Sequence, residues 1–416
     1  MPLPPPPLAR HLAPRVREAL RDTPAVLIHG PRQCGKTTLA RAVGDPLGYR
    51  YLSFDDDATV AAAHNDPIGF VAELPARTIL DEVQRAPGLF SALKSAIDRR
   101  RTPGRFLLTG SANVLLVPQL ADSLAGRMGT LRLHPLAQTE LAGTRAPFID
   151  RLFARRFATT ASLERLGSDL TRRIALGGFP AAVARRTPAR RRAWYRDYVD
   201  TQIQRDIREL SRLRSFDSIP RLLSVIAAHT AQLLNVAELA SPFELTRQTI
   251  HEHVALLERI FLIDRLAPWH TNRLSRAVKR PKLHIGDTGV ACALLGVDSQ
   301  HLDSDRGSLG PLLETFVLQE LRRQASGRPE PLGFFHFRDR DDFEVDIVLE
   351  QGLGRVAGVE VKAAATVHDA DFRGLRKLRQ SAGNRFVGGV VLYDGSAVIQ
   401  IDEHLSAVPI RLLWEG

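Results

Sequence analysis

Residues 24–44 read PAVLIHGPRQCGKTTLARAVG, and this stretch decides the fold of the first part of the chain. An apolar run from Ala25 to Ile28 predicts a buried strand, and a helical pattern begins at Lys36. The segment between them fits the pattern G-x-x-x-x-G-K-[ST] at every fixed position. In such a loop, glycines let backbone N–H groups surround an anion, and the helix N-terminus adds partial positive charge. The stretch therefore predicts a phosphate-binding loop.

The chemistry of this loop predicts a nucleotide site with a magnesium ion. The side chain of Lys36 can reach the β- and γ-phosphates, and the hydroxyl of Thr37 can ligate Mg²⁺. A chance glycine turn is the alternative, but the strand before it and the helix after it favour nucleotide binding. The predicted nucleotide-binding residues are Gly30, Pro31, Arg32, Gln33, Cys34, Gly35, Lys36, Thr37 and Thr38.

Two acids follow the next short apolar stretch, Thr78 to Leu80. In enzymes with a phosphate loop, an aspartate at such a strand end holds Mg²⁺, often through water. A glutamate beside it orients or activates the attacking water. We therefore predict that Asp81 is a metal ligand and that Glu82 is a catalytic residue.

A further strand, Arg105 to Leu108, ends in the polar residues Thr109 and Ser111. Either side chain would sense the γ-phosphate or simply cap the strand, and the sequence leaves both roles open. Arg127 follows as the candidate arginine finger, acting on its own nucleotide or on that of a neighbouring copy. The second case implies a homo-oligomer formed through this nucleotide-binding core. A plain surface role for Arg127 is the competing interpretation.

Strands and helices alternate through this region, which predicts an α/β fold with a doubly wound parallel sheet. The order GPRQCGKTT, LDEVQ, LLTGSAN, LAGR and LHPLAQTEL resembles prokaryotic AAA-type ATPases that carry a C-terminal domain of unknown function. Later segments extend the resemblance over nearly the whole chain: GGFP at 177–180, YVDTQIQRDI at 198–207 and GDTG at 286–289. The resemblance implies an AAA-like fold and ATP as the nucleotide.

Helical periodicity between residues 219 and 261 predicts three helices, and a strand and a basic stretch follow them. Together these elements indicate a winged helix. The third helix would place Arg247, Gln248 and His251 in the major groove of DNA. Winged helices also dock proteins, which is the alternative. The basic stretch, expected to lie along phosphates as the wing, contains Arg273, Arg276, Lys279, Arg280 and Lys282.

Carboxylates and a lysine recur near the C-terminus in the pattern Asp346-x13-Glu360-x-Lys362. Residues two apart on a strand face the same side, so Glu360 and Lys362 point together. Asp346 and Glu360 would hold Mg²⁺ or Mn²⁺ while Lys362 steadies a hydroxide. Glu314 is a further candidate carboxylate. With the order of elements, the pattern resembles the restriction-endonuclease-like nuclease fold; a salt-bridged sheet surface is the alternative.

The bulk composition favours an acidic partner, since the 416-residue chain has a net charge of +11. Nucleic acid is the first expectation and an anionic membrane surface the second, while a basic surface without function is the alternative. Two cysteines indicate a reducing compartment, and no apolar run reaches the about 18 residues of a membrane span. The sequence shows no signal peptide, so we expect a cytoplasmic protein.

Four domains are expected from these patterns. They are an ATPase core at 1–135, a helical connector at 136–213, a winged-helix-like domain at 214–300 and a restriction-endonuclease-like domain at 301–416. The sequence predicts an ATP-hydrolysing enzyme that controls a DNA-binding C-terminal half. That half is either a Mg²⁺-dependent nuclease or a catalytically silent scaffold or regulator that binds protein or DNA.

Overall fold

The computed structural model describes residues 8–111, 126–145, 147–158, 163–207, 218–243, 245–272, 276, 280–352 and 354–415. The chain divides into two compact units. Unit 1 comprises Met1–Leu136, Arg259–Phe261 and Ser326–Pro329, and unit 2 comprises Ala137–Glu258, Leu262–Ala325 and Glu330–Gly416. In the described parts of the chain, no helix is both long enough and apolar enough to cross a membrane.

Unit 1 contains five strands and five α-helices among its described residues. The strands are β1 (Ala25–His29), β2 (Arg50–Ser53), β3 (Thr78–Asp81), β4 (Phe106–Gly110) and β5 (Met128–Arg132). The helices are α1 (Ala13–Asp22), α2 (Lys36–Gly44), α3 (Asp57–Asn65), α4 (Pro67–Glu73) and α5 (Leu89–Arg99). The strands form one sheet in the order β2-β3-β4-β1-β5, and all neighbouring pairs are parallel.

The parallel sheet of unit 1 forms because its central strands are apolar throughout. All five residues of β1 are buried, as are all those of β4. A continuous apolar run is typical of a strand that helices cover on both faces. The predicted α/β fold is confirmed, and the carboxyl ends of the strands meet at one edge, where the phosphate loop follows β1.

Unit 2 contains the remaining elements. Its helices are α6 (Gln138–Ala142), α7 (Phe148–Ala154), α8 (Ser168–Leu176), α9 (Pro180–Val183), α10 (Pro188–Gln202), α11 (Ser218–Ala228), α12 (Val236–Ala240), α13 (Arg247–Arg259), α14 (Thr288–Leu295), α15 (Ser299–Ser304), α16 (Arg306–Ala325) and α17 (Arg373–Ala382). Its strands are β6 (Gln232–Leu233), β7 (Ile263–Pro268), β8 (Lys282–Ile285), β9 (Leu332–Arg338), β10 (Glu344–Gln351), β11 (Arg355–Lys362), β12 (Phe386–Tyr393), β13 (Ile399–Gln400) and β14 (Leu405–Pro409).

A single mixed sheet joins all nine strands of unit 2, in the order β13-β14-β12-β11-β10-β9-β7-β8-β6. Strands β9, β10 and β11 are antiparallel neighbours, whereas β11, β12 and β14 run parallel. The parallel pair Ala267–Phe335 connects β7 to β9, so the sheet continues across residue 300, where the sequence suggests a boundary. The carboxylates of the C-terminal pattern lie on the central strands of this sheet.

The region expected to form a winged helix shows three helices, α11, α12 and α13, with strands β6, β7 and β8. The first of the three predicted helices ends at Ala228. Ala231 has a φ of +64°, which a helix does not tolerate, and Gln232–Leu233 pairs with β8. Two residues of the expected wing, Arg273 and Lys279, lie outside the described residues.

Candidate functional site

The backbone of the phosphate loop is curved by residues with positive φ. Gly30, Gln33 and Gly35 have φ values of +153°, +59° and +100°. A Cβ atom at Gly30 would lie 2.1 Å from the carbonyl oxygen of Leu133, so this position requires glycine. The loop is therefore packed closely against the segment that follows β5.

Lys36 lies inside the loop that precedes it. Its ammonium group donates to the carbonyl oxygens of Gly30 at 3.1 Å and Pro31 at 2.9 Å, and the side chain is buried. Of the other predicted nucleotide-binding residues, Cys34 is buried while Gln33 and Thr38 are exposed. The predicted residues thus form one curved loop, and the ammonium group of Lys36 lies inside it.

Arg10 stabilises this loop by hydrogen bonds, a role that was not predicted from the sequence. Its guanidinium donates to the carbonyl oxygen of Cys34 at 2.8 Å and to that of His134 at 2.5 Å. The planar fork of arginine suits two acceptors at once. A contact between residues 24 positions apart leaves no local pattern in the sequence.

Asp81 and Thr37, the two predicted magnesium ligands, are neighbours. The hydroxyl of Thr37 lies 2.9 Å and 3.0 Å from the two carboxylate oxygens of Asp81. Tyr51 also donates to Asp81, at 2.8 Å, and Thr109 donates to its other oxygen. These oxygen groups fit Mg²⁺, which prefers hard oxygen ligands, so Thr37 and Asp81 would hold it. There Mg²⁺ would neutralise charge on the phosphates.

Glu82 follows Asp81 in a left-handed conformation, with φ +57°. Its N–H donates to the hydroxyl of Thr109 at 3.1 Å, and its carboxylate accepts from Ser111 at 2.8 Å and from Gln84. Burial alone would raise the pKa of Glu82, but Lys36, Gln84 and Ser111 together lower it below its usual value. The result is an ionised carboxylate suited to orient water.

Thr109 and Ser111 therefore contact the acid pair directly. Strand β4 lies between β1 and β3, which places the end of β4 between the loop and the acids. Thr109 bonds to Asp81 and to the N–H of Glu82, and Ser111 bonds to the carboxylate of Glu82. These contacts position the acids, and they are more specific than the strand capping that the sequence left open.

Arg127 is not brought to this site. It forms a bidentate pair with Asp98, at 2.6 Å and 2.9 Å. The next residue, Met128, pairs with Ala25 at the start of β1, so Arg127 lies at the edge of the sheet opposite the loop. Action on its own nucleotide does not fit this placement. Action on the nucleotide of a neighbouring copy stays a prediction.

His29 ends β1 directly behind the loop. Burial, together with the charges of Arg132 and Lys36, lowers its pKa to about 4. Among the described residues, its Nδ1 atom has no hydrogen-bond partner. At neutral pH the imidazole is therefore uncharged, and the residue directly precedes Gly30, the first residue of the phosphate loop.

The second predicted site lies in unit 2, where the structure brings the C-terminal pattern together. Lys362 donates to the carboxylate of Glu360 at 2.9 Å. The N–H of Val361 donates to Asp346 at 2.9 Å, which fixes that carboxylate beside β11. Burial and then the charge of Asp346 raise the pKa of Glu360 to about 8, and the same causes raise that of Glu314.

Lys282 corrects the expectation for the basic wing. Instead of facing solvent, its side chain is only 3% exposed and lies among three carboxylates. Its Nζ atom is 2.8 Å from Glu314, 2.5 Å from Glu344 and 3.4 Å from Asp346. In the described parts of the chain, no group of three or more His, Cys, Asp or Glu side chains is arranged to hold a metal ion.

The other residues expected to contact DNA are partly exposed. Arg247, Gln248 and His251 lie on the exposed face of α13, as predicted from their spacing. Arg276, expected in the wing, instead bonds to Glu350 at 2.7 Å and is largely buried. Arg280 is exposed. Among the residues of this surface that the structure describes, the accessible ones are therefore those of the α13 face and Arg280.

Three family profiles match successive parts of the chain. One family is described as an AAA domain and matches residues 22–142. Two families are described as domains of unknown function: DUF8612 matches residues 167–301 and DUF4143 matches residues 309–413. The first match covers the phosphate loop, the acid pair and the parallel sheet.

Relatives that match most of the chain occur in mycobacteria. The uncharacterized protein Rv2008c of Mycobacterium tuberculosis is 32% identical over 358 residues, which is 86% of this chain and 74% of that protein. The uncharacterized protein Mb2031c of Mycobacterium bovis matches with the same identity and coverage.

Solved structures with a similar fold share little sequence identity with the chain. The Walker-type ATPase PABY2304 of Pyrococcus abyssi has 15% identity and a TM-score of 0.42, over 71% of this chain and 99% of that one. The RuvB Holliday junction branch migration motor of Thermotoga maritima has 18% identity and a TM-score of 0.30, over 62% and 90%. By its relatives and its profiles, the chain belongs to the family of the two mycobacterial proteins and carries an AAA-type P-loop ATPase domain.

Proposed function

We propose that this protein hydrolyses ATP and uses the nucleotide state of unit 1 to control DNA binding by unit 2. The observation that carries the ATPase part is the contact between Thr37 and Asp81, with Lys36 and Glu82 beside them. A loop lysine, a hydroxyl, a metal-binding aspartate and an ionised glutamate are the parts that phosphoryl transfer to water requires.

The roles of these residues follow from their contacts. The loop backbone and Lys36 would bind the β- and γ-phosphates, and Thr37 and Asp81 would hold Mg²⁺. Glu82 would orient the attacking water, since Ser111 and Gln84 fix its carboxylate. Arg127 would complete the site of a neighbouring copy, which is how a homo-oligomer would form through the ATPase core.

DNA is the partner that the charge of the chain favours. The chain has a net charge of +11, and two of its arginines, Arg247 and Arg280, are exposed on the surface expected to contact DNA. Gln248 and His251 supply hydrogen-bonding groups on the same exposed face of α13 as Arg247. Helices with such a face bind DNA through phosphates and base edges.

For the C-terminal pattern, we propose the catalytically silent alternative instead of a nuclease. The convergence of Asp346, Glu360 and Lys362 supports a nuclease-like arrangement. However, a lysine lies where the carboxylates would hold a metal ion. Supercoiled plasmid with Mg²⁺ or Mn²⁺ tests this choice. We expect no cleavage, whereas cleavage that Asp346→Ala and Lys362→Ala both abolish would establish the nuclease.

Fluorescence anisotropy with labelled duplex and branched DNA tests the control by nucleotide. We expect the affinity of the wild-type chain to differ between ATP and ADP, and to fall steeply with added salt because phosphate contacts release counterions. Lys36→Ala is expected to bind DNA without responding to nucleotide. Equal affinities of the wild-type chain in ATP, in ADP and without nucleotide would contradict the proposed control.

A further inference from the structure

One buried lysine in unit 2 lies in contact with three carboxylates. Strand β8 supplies Lys282, helix α16 supplies Glu314, and β10 supplies Glu344 and Asp346. The three carboxylates approach one nitrogen atom at 2.8 Å, 2.5 Å and 3.4 Å. An ammonium group has three N–H donors and no acceptor, so three carboxylate oxygens satisfy it completely.

We infer that Lys282 takes the place of a divalent cation in this cluster, and that removing its charge creates a site for a divalent cation. Hard divalent cations also gather carboxylate oxygens from several elements around one point. The ammonium and such a cation would need the same oxygens of Glu314 and Asp346. They therefore exclude each other. The inference rests on the silent nuclease-like domain of the proposed function, and it names the residue that makes it silent.

The remaining contacts leave little freedom at the predicted metal ligands. One oxygen of Asp346 faces Lys282, and the other accepts from the N–H of Val361 at 2.9 Å. Glu360 is held by Lys362 through its Oε1 atom, at 2.9 Å. Both carboxylates that the sequence assigned to a metal ion thus already have cationic partners within the protein.

Other charged groups around the cluster do not replace Lys282. Arg338 is 3.7 Å from Glu344, and its side chain is 38% exposed. His284 is 3.9 Å from Glu314, which is beyond hydrogen-bond distance. Lys282 is therefore the cation nearest to Glu314 among the described residues, and the one that also reaches Asp346.

The choice of lysine itself fits this role. Only six of the 57 basic residues in the chain are lysines, so arginine is used at nearly all other basic positions. A compact ammonium fits between three converging carboxylates, whereas a planar guanidinium is wider and directional. The three carboxylates around residue 282 therefore favour a compact positive charge, and a metal ion is also a compact positive charge.

Electron paramagnetic resonance of Mn²⁺, without nucleotide or DNA, tests the inference. We expect wild type and Asp346→Asn to bind Mn²⁺ equally, because the cluster holds none in the wild-type chain. We expect Lys282→Met to gain one Mn²⁺ site per chain that the wild type lacks, because the positive charge among the three carboxylates is removed. The double variant Lys282→Met/Asp346→Asn should lose that site, and Lys282→Arg should not gain it.

Two results would overturn the inference. The first is a wild-type Mn²⁺ site that Asp346→Asn abolishes, and the second is a folded Lys282→Met chain that binds no more Mn²⁺ than wild type. If Lys282→Met fails to fold alone, Mn²⁺ during refolding should restore its tryptophan fluorescence, and failure to do so counts against the inference. Because neither ATP nor DNA is present, failure of the ATPase or DNA proposals leaves this readout unaffected.

Discussion

The hydroxyl of Thr37 donates to the carboxylate of Asp81, 44 residues later in the chain. This contact joins the start of α2 to the end of β3, and so joins the phosphate loop to the acid pair. Asp81 ends the buried strand β3, and Thr37 lies just after the loop that follows the buried strand β1 of the same parallel sheet, which is why they meet. The contact brings together the two oxygen groups that would hold Mg²⁺.

Replacing Thr37 tests this contact. Thr37→Ala removes the hydroxyl, so we expect kcat for ATP hydrolysis to fall on the order of 100-fold and the Mg²⁺ requirement to rise. Thr37→Ser keeps the hydroxyl and should retain most of the activity. Steady-state phosphate release over a range of Mg²⁺ concentrations measures both. Equal loss in the two variants would show that the hydroxyl is not the group that matters.

Glu82 should act on water and not on nucleotide binding. Glu82→Gln keeps the shape of the side chain but removes its charge, so we expect kcat to fall roughly 100-fold or more. Affinity for a labelled ATP analogue should stay within a few-fold of wild type. Glu73→Gln, at the exposed end of α4, is the matched control. A loss of binding as large as the loss of turnover would argue against this role.

His29 predicts a pH dependence of stability. The pKa of His29 is about 4 in the folded chain, against an ordinary value of 6.5. Between pH 4 and pH 6.5 the unfolded state therefore binds a proton that the folded state does not bind. Stability should fall as pH drops from 6.5 to 4, by up to roughly 3 kcal/mol from this residue. His29→Leu should remove that contribution.

Urea unfolding followed by circular dichroism, at pH 7.5 and pH 5, measures the His29 contribution. The difference between the free energies of unfolding of wild type and His29→Leu separates the contribution of His29 from that of the other buried histidines. The exposed His64 provides the control His64→Gln, which should keep the wild-type slope. A His29→Leu chain with the same loss of stability on acidification as wild type would contradict the prediction.

Asp287 connects the segments GGFP and GDTG in the structure. Its carboxylate accepts from the N–H of Gly178 and of Gly289, each at 2.9 Å, and from Arg323 at 2.9 Å. A Cβ atom at Gly177 would lie 2.2 Å from the same carboxylate. The two glycine-containing segments therefore pack around one buried acid.

Asp287→Ala should destabilise unit 2 by about 3–5 kcal/mol, because it removes the carboxylate that pairs with the buried guanidinium of Arg323. The exposed pair of Arg155 and Glu403 is the control, and Glu403→Ala should cost less than about 1 kcal/mol. All three tryptophans of the chain lie in unit 2 and report its unfolding by fluorescence. Equal effects of the two substitutions would contradict the importance of this buried pair.

The sequence predicted the parts of the site that follow from local pattern. Lys36, Thr37 and Asp81 each follow a buried apolar strand, and strand order in a parallel sheet brings such ends together. Lys282 was misplaced because the sequence showed it only as the last of several basic residues. Its partners Glu314 and Asp346 lie 32 and 64 positions away on α16 and β10, and no local pattern in the sequence shows that these elements meet β8.

The position of Arg127 also could not be predicted from local sequence pattern. Its spacing after the loop suited an arginine finger, but its position depends on the register of β5 against β1. That register puts it at the amino end of the strand, next to Asp98. The strands β13 and β14, of two and five residues, were not predicted from the sequence.

The most direct test of the account is phosphate release from ATP by the full chain with Mg²⁺, comparing wild type with Lys36→Ala. Lys36 is held inside the loop by the carbonyls of Gly30 and Pro31, so its loss removes the charge that would meet the phosphates. Lys94→Ala, which changes a lysine of α5 away from the loop, is the control. The account predicts turnover in wild type and in Lys94→Ala and none in a folded Lys36→Ala; unchanged turnover in Lys36→Ala would contradict it.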